Sequence, residues 1–434
     1  MSSEIREAES WVEKGDENVK HESFKEAIEC YTKSIAINPQ AAYAHFKRGT
    51  TLMAVKKFKE SIRDFTNTIT LNPNFSFAHF KRGSSYLEVG NYNDALKDFN
   101  EAIEQNPDFY FAFYKRALAK QGLKQYQEAL ADYQRTLELN ETYTLAFQQR
   151  GNIQFMLKKY DEAISDYSKV IQLTPKDPKS YISRGITYGN QKKFKEAISD
   201  YTKAVSIDPQ SYLAFNYRGM IYSKMRDFDK ALIDYNQVIK IKPDHEEAYN
   251  NRGIAHFATK RYELAIGDYT KAISFNRKNP NYYYNRANAN FNTKDFIAAI
   301  ADYTEAVNIE PKFFAAFFGR ANANANLARH KEAIKDFSKA LAQNNKLLGA
   351  YIGRGNAYMK MRYYKKALED YTLAIELNPD YAQSYLNRGV TFRQMKEDKD
   401  AADDFNDYLR LKPNDESSDR IRKWLNKMDF TVKY

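Results

Sequence analysis

The chain repeats itself every 34 residues, and a fixed period of that length restricts it to folds in which one small unit is stacked many times. Aligned on one small residue per unit, the copies place Gly15, Gly49, Gly83, Ala117, Gly151, Gly185, Gly219, Gly253, Ala287, Ala321, Gly355 and Gly389 in register, twelve times without an insertion. Twelve residues further on stands a second small residue, from Ala27 through Ala197 to Ala401, with Ser61 the one exception to alanine. A larger side chain at either place would hold two helix axes apart, so two helices approach closely there. Four residues after the second site comes an aromatic, from Tyr31 through Tyr201 to Phe405, one helical turn along the same face. A proline follows eight residues later in nine copies, as at Pro39, Pro209 and Pro413, where it ends one helix and sets up the next. Glu141, Arg277 and Asn345 replace it in the other three. The middle of each copy is a polar, lysine-rich turn such as Gln191-Lys192-Lys193, so each copy reads as helix, turn, helix and the chain as all-α.

At 434 residues the chain is long enough for several globular domains, but the uninterrupted period overrides that expectation. The 67 Lys and Arg against 56 Asp and Glu give a net charge of +11, which suits acidic partners from peptides to nucleic acid without choosing among them. Cys30 is the sole cysteine, so no internal disulfide can form and a reducing compartment is expected. The opening stretch lacks a basic region followed by an apolar core, and no run approaches the roughly 18 apolar residues of a membrane span. A soluble, cytoplasmic protein is expected on these grounds.

Placed in order, these residues resemble the tetratricopeptide repeat, whose 34-residue unit carries an aromatic, then Leu-Gly, a Tyr, then Ala, Phe and Pro. The resemblance covers about residues 8–415. It implies an α-solenoid of twelve helix-turn-helix repeats, coiled into a right-handed superhelix with a concave groove. On that reading residues 1–7 are a lead-in and 8–415 one continuous superhelix. In 416–434, Ile421, Trp424, Leu425 and Met428 fall at helical spacing, as expected of a capping helix over the last repeat, followed by a short tail.

The chain departs from the family where leucine is usual, immediately before the small residue. Eleven copies have arginine there, Arg48 to Arg388, and each is followed sixteen residues later by an aspartate, Asp64 to Asp404; the first copy has Lys14 and Cys30. A matched carboxylate for every guanidinium argues for a ladder of structural ion pairs rather than a row of anion ligands. The spacing leaves open whether each pair lies within a repeat or across a junction.

In the family the groove is lined by exposed residues of each first helix, and those positions can be matched one by one. Copies two to four present Lys47, Lys81 and Lys115, flanked by Phe46, Phe80 and Tyr114 and by Tyr43, Phe77 and Phe111. This basic stripe interleaved with rings suits an extended acidic peptide or, alternatively, single-stranded nucleic acid stacked on the rings. The plainer alternative is that the rings pack between repeats and the lysines are solvated. Later copies place Asn152, Asn288, Asn322 and Asn356 at one equivalent site, joined by Asn290, Asn292, Asn324 and Asn326 and by Asn251, Asn285 and Asn387. Such a row offers donor and acceptor to an extended peptide backbone, unless it is only drift in an asparagine-rich chain. The carboxylate clamp of co-chaperone relatives is not expected, because Val12, Asp16, Lys47, Phe77 and Lys81 stand where its ligands belong.

No catalytic arrangement is evident. His45 and His79 occupy a position where other copies have rings such as Trp11 or Phe113, and are expected to be packed ring substitutes. The other histidines show no metal spacing, and no glycine-rich phosphate loop or activated nucleophile is present. The reading is a non-catalytic scaffold without cofactor or metal, binding protein partners through its groove, with RNA binding by copies two to four as the alternative.

Overall fold

In the computed structural model the described residues are 3–433; Met1 and Ser2 of the lead-in and Tyr434 of the tail lie outside them. The described residues form helices and short turns, with no strand among them. The first helix begins at Ser3, inside the stretch read as a lead-in, and runs to Lys20. A representative repeat is the sixth, with a first helix Pro178–Asn190 and a second Phe194–Ile207. Pro178 sits in the first turn of its helix, where a missing N–H costs nothing, and Asp177 caps the same end.

Within each repeat the two helices pack against each other along their length. The small residues act as the spacing implies. Ala197 is fully buried, and a Cβ on Gly185 would lie 2.7 Å from Cε1 of the buried Tyr201, so that ring needs a glycine opposite it. The turn between the helices passes through a left-handed residue, lysine at Lys56, Lys124, Lys158, Lys192, Lys260, Lys294 and Lys396, and glycine only at Gly90.

The chain folds as two compact units, Met1–Pro209 and Gln210–Tyr434, although the repeat phase runs through Pro209 as through any other junction. The first unit holds six helical hairpins; the second holds six more and a final helix, Glu416–Lys427. In the first unit the helices Ser3–Lys20, Ala42–Ala54, Ser76–Glu88 and Tyr110–Gly122 touch in succession, and in the second the same holds from Tyr212–Lys224 through Ala382–Met395. These first helices therefore line one face within each unit, and that face carries the lysines and asparagines that differ between copies.

The final helix packs against the hairpin before it. Asp415 accepts hydrogen bonds from the Ser417 and Ser418 N–H groups at 2.9 and 3.0 Å, fixing its start. Ile421 and Leu425 are buried against Ala401, Phe405 and Leu409, and Trp424 meets Phe405 edge-on at 5.2 Å. The tail is pinned as well: Asn406 donates through Nδ2 to the Thr431 carbonyl at 3.1 Å and accepts from the Lys433 N–H at 2.8 Å.

Candidate functional site

The arginine ladder is framework. Arg48 grips Asp64 through two parallel hydrogen bonds, Nε to Oδ2 at 2.8 Å and Nη2 to Oδ1 at 2.7 Å, and the same bidentate pair recurs in each later repeat, to Arg388 and Asp404. The pairs lie within repeats. The remaining donor, Nη1, crosses the junction instead: Arg48 reaches Thr32 and Arg184 reaches Ser168, each in the second helix of the preceding repeat. Rings such as Phe113, Tyr181 and Tyr385 lie against the guanidinium faces at 5–6 Å. His45 and His79 take that ring position, buried, with Nε2 at 3.2 and 3.1 Å from the Pro39 and Pro73 carbonyls and Nδ1 facing Asp64 and Asp98.

On the shared first-helix face the lysine stripe is not uniform. Lys47 stands 3.1 Å from Asp16 of the first repeat and over the Tyr43 ring, and Asp16 also accepts the Tyr31 hydroxyl at 2.5 Å. Burial pulls the Lys47 pKa down, but hydrogen bonds to Tyr43 and Asp16 and the charge of Asp16 outweigh it and hold the value above the ordinary range. At the positions equivalent to Asp16, the next two repeats have Thr50 and Ser84. Among the described residues Lys81 has no ion-pair partner; burial and then the charge of Lys115 push its pKa below the ordinary lysine value. The stripe reduces to one neutralised lysine and an uncompensated pair.

The rings divide in the same way. Phe46 packs on Phe75 at 4.8 Å, Phe80 on Phe109 at 4.7 Å, and Tyr114, buried, on Tyr143 at 5.0 Å. All three fill the junction to the next repeat, so they do not offer free faces for stacking. Tyr43, Phe77 and Phe111 are the exposed rings, at 54%, 47% and 39%.

The asparagines are also partly committed. Asn152, Asn288 and Asn356 accept the hydroxyls of Tyr167, Tyr303 and Tyr371, fifteen residues later, at 2.9, 2.6 and 2.7 Å. Fifteen residues after Asn322 stands Phe337, which has no hydroxyl to give. Asn387 of the last repeat donates to Asn356 Oδ1 at 3.1 Å, in the place that Lys47 takes toward Asp16. A shared acceptor receiving a core tyrosine and a donor from the next repeat is thus built with an ion pair at one end of the chain and with amides at the other. Asn285 reaches Asn250 at 2.9 Å, and Asn290 is buried on Asp302 at 3.1 Å. The tyrosine partners were not singled out from the sequence; the signal was the choice of Tyr over Phe at the aromatic site.

Among the described residues no group of three His, Cys, Asp or Glu side chains is placed to hold a metal, and no helix is long and apolar enough to cross a membrane. Models described as "Tetratricopeptide repeat" match residues 76–109, 178–211, 212–245, 246–279 and 349–381, and 8–40 and 280–313; one described as "TPR repeat" matches 151–192. Together these stretches span more than half of the chain. No curated protein matches it. Among solved structures, it is similar to YrrB, titled a TPR protein with an unusual peptide-binding site, at 26% identity over 43% of this chain and 96% of that one, TM-score 0.38. It is also similar to the APC/C hetero-tetramer Cut9-Hcn1, at 12% identity over 98% and 96%, TM-score 0.44. Yeast Tom70 matches at 17% identity over 97% and 95%, TM-score 0.37.

Proposed function

The chain belongs to the tetratricopeptide-repeat family, and from that premise we propose that it is a non-catalytic scaffold holding polypeptide partners on the first-helix face of its repeats, as one subunit of a larger assembly. One observation carries this reading: the invariant polar groups of the repeat satisfy one another, while the groups left over gather on that face. Each Arg–Asp pair is closed within the framework. Lys81 and Lys115, without a carboxylate opposite, lie beside the exposed rings of Phe77 and Phe111. That combination suits an extended acidic segment carrying apolar side chains. In the later repeats the amides of Asn152, Asn288 and Asn356 have their oxygens occupied by tyrosine, which turns the NH2 groups toward a partner's carbonyls. The single cysteine, Cys30, suits a reducing, cytoplasmic setting.

Crosslinking mass spectrometry in the native source tests the reading. Partners should crosslink to lysines of the first helices, Lys47, Lys81 and Lys115 among them. Crosslinks confined to second-helix lysines such as Lys203 would overturn it.

A further inference from the structure

The second unit contains a cavity of about 530 Å³ between the first helices of its last two repeats and the capping helix. Leu386, Val390, Ile421 and the edge of Trp424 supply its apolar wall. Its polar side chains present donors. Asn356 Oδ1 already receives two hydrogen bonds, from the Tyr371 hydroxyl at 2.7 Å and from Asn387 at 3.1 Å, so the Asn356 Nδ2 group is the part left to meet a ligand. Lys360 and Arg393 line the same cavity and have no ion-pair partner among the described residues. Arg420 also lines it; its contact with Glu416 is 3.5 Å long and solvent-exposed on both sides, a pair of little strength. No carboxylate is among the lining residues.

A wall of large apolar groups beside two cations, Lys360 and Arg393, that have no ion-pair partner among the described residues matches one kind of occupant by charge and by shape. We propose that this cavity receives an acidic segment of a partner protein, seating an Asp or Glu side chain among Asn356, Lys360 and Arg393, with a neighbouring aromatic side chain against Trp424 and Val390. The proposal rests on the scaffold reading above and narrows it to one docking point, to which the capping helix contributes directly. The carboxylate is taken as a side chain and not a chain terminus, the distinction that the peptide test below decides, because Lys360 and Arg393 lie on separate helices at the mouth of the cavity.

The test uses the full chain with Trp11→Phe, which leaves Trp424 as the one tryptophan. The probe is an N-acetylated, C-amidated peptide containing Glu-Phe-Asp, compared with its Gln-Phe-Asn counterpart. Trp424 emission should change saturably with the acidic peptide, and the amide counterpart should bind about tenfold more weakly or less. Arg393→Glu and Lys360→Glu, both at exposed positions, should each weaken the acidic peptide about tenfold while circular dichroism and thermal unfolding stay as in the parent. Equal affinity for the two peptides, indifference to both charge reversals, or binding only when the terminal carboxylate is left free would each overturn the proposal. Native partners crosslinked to the first helices, without a response at Trp424, would overturn the cavity proposal and leave the scaffold standing.

Discussion

Arg184 and Asp200, sixteen residues apart, meet through two parallel hydrogen bonds of 2.8 and 2.7 Å inside one repeat, and the third arm of Arg184 donates to Ser168 of the preceding repeat at 2.9 Å. One side chain therefore ties three helices. Hydrogen bonding to Asp200, against the opposing effect of burial, holds the Arg184 pKa above its ordinary value. Asp200 is buried, so removing the guanidinium strands a carboxylate in a poorly solvated site. Arg184→Ala should cost about 3–5 kcal/mol, whereas replacing Arg184 and Asp200 together with leucine and alanine should cost much less. Urea unfolding of the single and double variants decides it; equal losses would refute a structural ion pair.

Phe337 offers a gain-of-stability test of the tyrosine–asparagine pairs. Tyr303 and Phe337 stand against Gly319 and Gly353 alike, where an added Cβ would come within 2.5 and 2.4 Å of the ring Cζ, so the site that holds Phe337 has the geometry of one that holds tyrosine. Phe337→Tyr should therefore place a hydroxyl on Asn322 and add about 1 kcal/mol of stability, read as a shifted urea midpoint at unchanged slope. The gain should vanish in an Asn322→Ala background.

The Lys81 pKa lies below 10.5 in the folded chain because burial and the Lys115 charge both disfavour its ammonium. Between the folded value and 10.5 the unfolded chain binds more protons than the folded one, so this group makes stability rise with pH in that window. Lys81→Met should remove the rise and add stability at neutral pH. Denaturant titrations of parent and variant at a series of pH values should thus converge toward pH 10.5; a constant gap would contradict the assignment.

Leu425 of the capping helix is fully buried against the last repeat. Leu425→Ala should cost about 2–5 kcal/mol. Because repeats are stabilised by their neighbours, the loss should be felt first at the end of the chain. Hydrogen exchange should accelerate in Asp398–Leu411 well before Ala42–Ala54. The exposed Lys427→Ala serves as the neutral control.

Most of the fold was legible in the sequence, since the demands of a repeat are local and stated many times: small residues such as Gly185 and Ala197 where two helices approach, an aromatic one turn further on, and a polar turn between the helices. The candidate site was legible only in outline. Lys47, Lys81 and Lys115 occupy equivalent positions and look alike as letters, yet Asp16 neutralises the first, and the other two have no ion-pair partner among the described residues. Likewise Phe46, Phe80 and Tyr114 share the stripe's composition but are spent on the next junction.

By itself the sequence determined the helix-turn-helix unit and its 34-residue period, the presence of one aspartate for each arginine, and the family. Tertiary structure decided which partner each side chain takes. In a 34-residue repeat every offset has a twin one unit away, so Arg184 has Asp200 ahead of it and Asp166 behind it, and spacing alone weighs them equally. The stacking of helices breaks that tie: it sends two arms of Arg184 to Asp200 and the third across the junction, and it sends Lys47 back to Asp16. Those choices separate side chains that close the framework from those left facing outward, and the latter are where partners are to be sought.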